Sequence, residues 1–370
     1  MAIHSLQIQH IRNLEQVSLN HCARINVFTG TNGSGKTSLL EAIHLLGRGR
    51  SFRSAKPGPV IHHLAARCVI YGKTIQPDGS LVTAGVMRAR SGEQVFKING
   101  SPVFTASRLA DILPLQLINA DTFSLLEGGP SARRQFLDWG VFHVEHLFLG
   151  SWRRIQRSLK HRNALLRRGR ITEVEMAPWE AELASHAETV DSMRSHYVAR
   201  LQPLFLATLG RLLDAEGFQL TYRRGWPEAQ SLLSLLRNDR QRDEHSGATL
   251  HGPHRADLDI RLSGRPAEEV LSRGQEKLLV YALRIAQGQL LHQLTGKTCV
   301  YLVDDLPAEL DWVHRQQLCR ELGAIQSQIF VTATDPDSFA GCWPPHSDVQ
   351  WFHVEHGQIT ERAAPSPSGL

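Results

Sequence analysis

The residues best suited to do chemistry lie in one short segment, from Gly30 to Thr37. Glycines let a backbone curl so that successive N–H groups point at phosphate oxygens, and a following helix adds positive charge at its N-terminus. We therefore expect a triphosphate site, in which Lys36 reaches the β- and γ-phosphates as a catalytic cation and the Thr37 hydroxyl ligates Mg²⁺. The segment has the form G-x-x-x-x-G-K-T and consists of Gly30, Thr31, Asn32, Gly33, Ser34, Gly35, Lys36 and Thr37.

The neighbouring residues predict the elements that such a loop requires. Residues 25–28 are apolar and predict a buried strand, and residues 38–46 have the apolar spacing of a helix. Strand, glycine loop and helix in this order are typical of phosphate-binding loops. The alternative, a glycine turn that merely caps a helix, does not account for the lysine and threonine at these positions.

Two carboxylates, Asp304 and Asp305, follow a second apolar run. Residues 299–303 and 328–332 are β-branched and apolar, as in parallel strands that are buried on both faces. At the end of such a strand Asp304 would hold Mg²⁺ through water, and Asp305 would act as the general base that polarises the attacking water. The alternative is that two acidic residues simply end a strand.

A third segment, Leu271–Gln275, combines a structural and a chemical pattern. Ser272 and Gln275 form the S-x-x-Q capping box of a helix over residues 272–294. With Arg273 and Gly274 they also match Leu-Ser-x-Gly-Gln, the pattern of the ATP-binding-cassette signature. That signature binds the γ-phosphate of a nucleotide held by another subunit. The alternative is that Leu271–Gln275 only caps a core helix. If the segment is a signature, the loop at 306–311 would line a dimer interface.

The totals exclude several classes of protein. The chain has 370 residues, 42% of them hydrophobic, and a net charge of +5, which favours a folded protein with a polyanionic partner. Nothing approaches a membrane-spanning apolar run or a signal region, so we expect no membrane association. The cysteines form no C-x-x-C pair, which favours a reducing cytoplasm over a zinc or disulfide framework. They are Cys22, Cys68, Cys299, Cys319 and Cys342.

The order of these blocks resembles that of the RecF family of bacterial recombination-repair proteins, a branch of the SMC-type cassette ATPases. The resemblance covers nearly the full chain. It implies an α/β fold: a P-loop NTPase of the ABC/SMC-head type with an antiparallel β subdomain and an inserted helical arm domain. Its boundaries would be 1–125 and 249–362 for the ATPase lobe, 126–248 for the arm and 363–370 for a disordered tail. The matching blocks are residues 28–43, 47–53, 128–138, 251–258, 271–275 and 304–311.

The same resemblance implies the activity and partners. ATP would join two copies on gapped or junction DNA, with slow DNA-stimulated hydrolysis for release. RecO and RecR would be partners in loading RecA, in the cytoplasm and on the nucleoid. Arg12 and Asn13 match a family position near the nucleotide. The rival functions are the cytosolic ATPase subunit of a transporter, which shares the three nucleotide motifs, and a phosphotransferase, which would not need the signature.

A basic run at residues 152–170 could contact DNA. At helical spacing Arg153, Arg157 and Lys160 share one face, which could follow a phosphate backbone. A solvated face is an equally good interpretation. A smaller group, Arg48, Arg50 and Arg53, could lie near DNA or at the dimer interface. The repeat His-Val-Glu-His, at 143–146 and 353–356, could place His143 and Glu145 on one strand face, but its spacing is not that of a metal site.

Overall fold

A computed structural model describes residues 1–169 and 172–365 of the chain, which form two compact units. Unit 1 contains Met1–Thr122, Arg211–Leu213 and the residues from Lys277 onward, and unit 2 contains Phe123–Gly210 and Asp214–Glu276. The sequence placed a boundary at 248/249, whereas the division falls at 276/277, because a strand after residue 249 pairs with a strand of unit 2. Residues 366–370 of the expected tail, and Arg170 of the basic run, lie outside the described residues.

The elements are numbered along the chain. The strands are β1 (Ala2–Ile11), β2 (Leu14–Leu19), β3 (Ile25–Thr29), β4 (Arg67–Ile75), β5 (Leu81–Ala89), β6 (Gln94–Ile98), β7 (Ser101–Val103), β8 (Leu115–Ile118), β9 (Phe218–Arg223), β10 (Asp257–Leu262), β11 (Arg265–Pro266), β12 (Val300–Val303), β13 (Gln328–Ala333), β14 (Val349–Glu355) and β15 (Gln358–Arg362). The helices are α1 (Lys36–Arg48), α2 (Ala106–Ile112), α3 (Ser124–Glu127), α4 (Gly129–Val144), α5 (Phe148–Arg168), α6 (Glu173–Leu212), α7 (Leu232–Asn238), α8 (Arg240–Ser246), α9 (Ala267–Val270), α10 (Arg273–Thr295), α11 (Leu306–Glu309) and α12 (Trp312–Ala324).

A mostly parallel sheet carries the predicted site strands of unit 1. Its order is β15-β14-β3-β13-β12-β8, and every neighbouring pair is parallel except β14 and β15. All residues of β3, β12 and β13 are buried, as their β-branched, apolar sequences predict. Strand β8 forms the edge of this sheet, where it pairs with β12.

The second sheet of unit 1 is antiparallel, in the order β2-β1-β4-β5-β6-β7. Within it β4, β5 and β6 form an antiparallel meander, so the expected antiparallel β subdomain is confirmed. Helix α1 contacts strands of both sheets and is buried along almost its whole length. Gly72 permits this close packing, because a Cβ there would lie 2.5 Å from Leu46 Cδ2. The helix that follows the glycine loop is thus held on two sides.

Unit 2 is mainly helical, as expected for the inserted helical arm domain. It also contains a small sheet in the order β11-β10-β9. The expectation that His143 lies on a strand is wrong, because residues 129–144 form α4 and the side chain packs on Trp139 of the same helix. Among the helices of the described residues, none is both long and apolar enough to cross a lipid bilayer.

Candidate nucleotide site

The glycine loop is shaped by close backbone approaches. Gly30 has a φ of 154°, and a Cβ at this position would lie 2.1 Å from the carbonyl oxygen of Val354 on β14. Gly35 precedes the first residue of α1 with a φ of 124°. Both conformations favour glycine over any other residue. The loop therefore ends with the first N–H groups of α1, the arrangement that binds phosphate.

Lys36 is buried at the start of α1. Its ammonium group donates to the carbonyl oxygens of Gly30 at 2.7 Å and Thr31 at 2.9 Å. Burial lowers the pKa of Lys36, while the negative charges of Asp305 and Asp304 oppose that shift. The lysine side chain is thus tied to the glycine loop and lines the same pocket as the acidic pair.

Asp304 is held by two hydroxyl groups. Its Oδ1 accepts hydrogen bonds from Thr37 Oγ1 at 3.1 Å and from Thr332 Oγ1 at 2.8 Å. Burial raises the pKa of Asp304, and the two hydroxyl hydrogen bonds oppose the shift. Thr37 and Asp304 fit Mg²⁺, because the ion prefers oxygen ligands, and adjacent ligands of an octahedral ion lie roughly 3 Å apart.

Asp305 has an unusual backbone conformation. Its φ is 49°, in the left-handed region, and its N–H donates to Thr332 Oγ1 at 2.8 Å. One threonine at the end of β13 thus fixes both members of the acidic pair. Sequence reasoning missed Thr332, although the C-terminal end of a neighbouring parallel strand is where such a residue would be expected.

The pocket brings together the predicted residues of unit 1. It also contains Arg53, which the sequence had placed near DNA or at a dimer interface, and Thr332. Gly30, Thr31 and Ser34 of the loop are not among the lining residues. The lining residues are Arg12, Asn13, Asn32, Gly33, Gly35, Lys36, Thr37, Ser38, Arg53, Asp304, Asp305 and Thr332.

Two distant segments brace the glycine loop. Asn13 donates through Nδ2 to the carbonyl oxygen of Gly33 at 3.1 Å, and its Oδ1 accepts from Ser38 Oγ at 3.0 Å. The turn between β14 and β15 contributes the N–H of Gly357, which donates to the carbonyl oxygen of Ser34 at 2.9 Å. Residues far apart in the sequence therefore determine the shape of the loop.

The signature residues belong to unit 2 and are not part of this pocket lining. The predicted capping box is present. The backbone N–H of Ser272 donates to Gln275 Oε1 at 2.9 Å, and the N–H of Gln275 lies 3.4 Å from Ser272 Oγ. Ser272, Arg273 and Gly274 are exposed, and Gln275 is half-buried. The N-terminus of α10 thus presents the motif to solvent.

The predicted DNA-binding residues lie on α5. Arg153, Arg157 and Lys160 are exposed, and the Arg157 guanidinium lies 5.6 Å from the ring centroid of Trp179. Part of the basic run is structural. Arg162 is fully buried, with Nη2 3.1 Å from a Glu180 carboxylate oxygen and Nη1 2.6 Å from one of Asp243. The run is therefore a mixture of core and surface cations.

Known proteins are similar to this chain in sequence and in fold. The RecF/RecN/SMC N terminal domain family matches residues 2–360. A protein of Stutzerimonas stutzeri named DNA replication and repair protein RecF is 48% identical over 366 residues, which cover 99% of each chain. A protein of the same name from Pseudomonas aeruginosa is 47% identical over 361 residues, or 98% of each chain.

Solved structures show the same architecture. The recombination mediator protein RecF with ATP, from the RecFOR pathway, superimposes with a TM-score of 0.86 at 22% identity over 98% of both chains. A Pyrococcus furiosus Smc head domain gives a TM-score of 0.59 at 16% identity over 98% of this chain and 96% of that one. The predicted α/β fold of the ABC/SMC-head type is confirmed. The chain belongs to the RecF family.

Proposed function

We propose that the chain is an ATP-switched DNA-binding protein of DNA replication and repair. Support comes from relatives that are named DNA replication and repair protein RecF and are 47–48% identical over nearly the whole chain. A pocket that brings a glycine loop, a buried lysine and an acidic pair together supports ATP as the ligand. Since these full-length relatives are named as DNA repair proteins, no observation favours the transporter or phosphotransferase alternatives.

The loop and five side chains of the pocket have roles in this proposal. The loop N–H groups and Lys36 bind the β- and γ-phosphates. Thr37 and Asp304 would hold Mg²⁺, which supplies positive charge beside these phosphates. Asp305 accepts a proton from water as the water oxygen attacks the γ-phosphorus, and ADP and phosphate leave. The Thr332 hydroxyl holds the Asp304 carboxylate, and it accepts a hydrogen bond from the backbone N–H of Asp305.

The exposure of the signature is the observation that carries the switching part of the proposal. Ser272, Arg273 and Gly274 face solvent at a helix N-terminus, where a phosphate of another molecule's nucleotide can be bound. Two copies would thus exchange signatures and enclose two ATP molecules. Hydrolysis would remove the γ-phosphates that join them, and the dimer would separate.

The remaining roles follow from the family. Gapped or junction DNA is the proposed polyanionic partner, in agreement with the net charge of +5. RecO and RecR are the proposed protein partners in loading RecA. These partners place the protein in the cytoplasm, at the nucleoid.

The test is the mass of the protein in solution, measured by sedimentation with and without ATP and gapped duplex DNA. We expect a monomer alone and a dimer with ATP, stabilised further by the DNA. Asp305→Asn should bind ATP but hydrolyse it on the order of 100-fold more slowly, so that the dimer persists. A mass that does not change with ATP would refute the switch, and hydrolysis that does not respond to DNA would refute the coupling.

A further inference from the structure

A fully buried carboxylate lies behind the nucleotide pocket, at Glu41 on α1. Its side chain has no exposed surface. Burying a carboxylate is costly unless cations and hydrogen-bond donors surround it. The groups around Glu41 therefore indicate what it does.

Two arginines of the pocket lining share this carboxylate. Arg12 makes a bidentate contact, with Nε 2.8 Å from Oε2 and Nη2 2.8 Å from Oε1 of Glu41. Arg53 Nη1 lies 3.8 Å from the same Oε2. A bidentate contact fixes the plane of a guanidinium group as well as its distance. One negative charge between the two cations also reduces their mutual repulsion.

The same carboxylate orders the backbone beside Arg53. The Ser51 hydroxyl donates to Glu41 Oε1. Ser51 Oγ in turn accepts from the N–H groups of Arg53 and Ser54, each at 2.9 Å. Glu41 thus attracts the Arg53 side chain directly and orders its backbone through Ser51.

Arg12 needs such support because its backbone is strained. Its φ is 54°, a conformation that costs energy for a residue other than glycine. The N–H of Arg12 donates to the carbonyl oxygen of Val60 at 2.9 Å, and Glu41 holds the other end of the residue. Strain of this kind persists where the surroundings determine it.

We propose that Glu41 is a positioning residue for nucleotide binding, which holds Arg12 and Arg53 at the pocket so that their guanidinium groups bind the phosphates. The proposal rests on the proposed function, since it takes ATP as the ligand. Glu41 does not touch the nucleotide and acts only through the two arginines. Together with Lys36 they supply the positive charge that a triphosphate requires.

The first test is Glu41→Gln, which keeps the size of the side chain and removes its charge. We expect the Kd for ATP, measured by calorimetry, to rise roughly tenfold. Inorganic tripolyphosphate, used as a second probe, should lose affinity by a similar factor, because the arginines act on phosphates. An unchanged Kd for ATP would overturn the proposal.

The matched control is Glu180→Gln in unit 2. Glu180 is also fully buried and holds two arginines, Arg162 and Arg240. Glu180→Gln should lower the thermal stability and leave the Kd for ATP within about twofold of that of the unmodified chain. An equal loss of ATP affinity in both variants would show that Glu41 is only structural.

A second test separates positioning from folding. In a chain with Arg12→Ala and Arg53→Ala, adding Glu41→Gln should change the Kd for ATP by less than about twofold, because the arginines through which it acts are gone. A further tenfold loss would overturn the proposal. If Glu41→Gln does not fold, Ser51→Ala replaces it: a roughly threefold loss of affinity should vanish in an Arg53→Ala background.

The proposed function and this proposal fail in different ways. If the unmodified chain binds no ATP, the proposed function is wrong and the role of Glu41 is wrong with it. If the unmodified chain binds ATP and Glu41→Gln binds it equally well, only the role of Glu41 is wrong.

Discussion

The nucleotide pocket and the signature segment differ in how they obtain their geometry. In the pocket, Lys36 is only 7% exposed, and the loop around it is braced by residues from both ends of the chain. The signature is exposed and is held by a capping box of two residues three positions apart. One region is assembled by long-range packing and the other by local sequence. ATP binding and ATP-dependent pairing should therefore respond to different substitutions.

The largest effect should come from Lys36→Met. The change removes the buried cation from the pocket, so we expect ATP affinity to fall about 100-fold and ATP-dependent dimerisation to disappear. Calorimetry and sedimentation measure the two effects. Lys97→Met removes an exposed lysine from β6 and should change neither. A Lys36→Met protein that still dimerises with ATP would remove the proposed link between the pocket and pairing.

A smaller effect is expected from Ser272→Ala. Loss of the helix cap should cost about 1 kcal/mol of stability, and loss of the hydroxyl should weaken ATP-dependent pairing and turnover about tenfold. Binding of ATP by one copy should not change. Ser231→Ala is the matched control, because Ser231 caps α7 of the same unit through the N–H of Ser234. Equal pairing defects in both variants would assign the effect to stability alone.

A second exposed region of unit 2 extends the comparison. Replacing Arg153, Arg157 and Lys160 together by alanine should weaken DNA binding several-fold. The slope of the logarithm of the binding constant against the logarithm of the salt concentration should become shallower by about 0.9 for each phosphate that the variant no longer neutralises. Fluorescence anisotropy over a series of salt concentrations measures both. Arg154→Ala is the control, since its Nη1 lies 3.4 Å from Glu182 Oε1. An unchanged slope in the triple variant would make this face of α5 merely solvated.

The smallest effect concerns stability. Because burial raises the pKa of Asp304, its carboxylate destabilises the fold once it is ionised. This cost in folding free energy is absent below pH 3.8, the ordinary aspartate pKa. It develops as the pH rises from there through the higher pKa that Asp304 has in the folded protein. Asp304→Asn should therefore gain on the order of 1 kcal/mol at neutral pH and lose this advantage in acid.

Thermal unfolding of both proteins over a pH series measures this difference. A stability advantage of Asp304→Asn that grows toward acid pH would contradict this prediction. The same variant should lose Mg²⁺-dependent hydrolysis, because an amide is a poorer ligand than a carboxylate. Asp304 would then lower the stability of the fold while it supports hydrolysis. At the exposed signature we expect no such opposition between stability and function.

The sequence predicted the structural features that depend on residues close together in the chain. The glycine loop, the capping box of Ser272 and the buried parallel strands all have local patterns, and the structure contains each of them. Thr332 and Glu41 were missed because their roles arise from contacts between separate elements.

The basic run and the histidine repeat illustrate the same limit. Arg162 is buried because Glu180 and Asp243, from α6 and α8, surround it, which spacing on α5 alone cannot indicate. His143 lies in a helix although the identical segment at His353 lies in β14. Identical short sequences adopt different structures when their packing partners differ.

The turn that brings Gly357 to the glycine loop also limits when the pocket can form. Strand β3 pairs with β14 on one side, and the Gly357 amide donates to Ser34. A ribosome must therefore synthesise the polypeptide past residue 357 before the loop made near its beginning reaches its final shape. A translation product that stops before residue 357 would lack the hydrogen bond from the Gly357 amide to Ser34 that braces the loop.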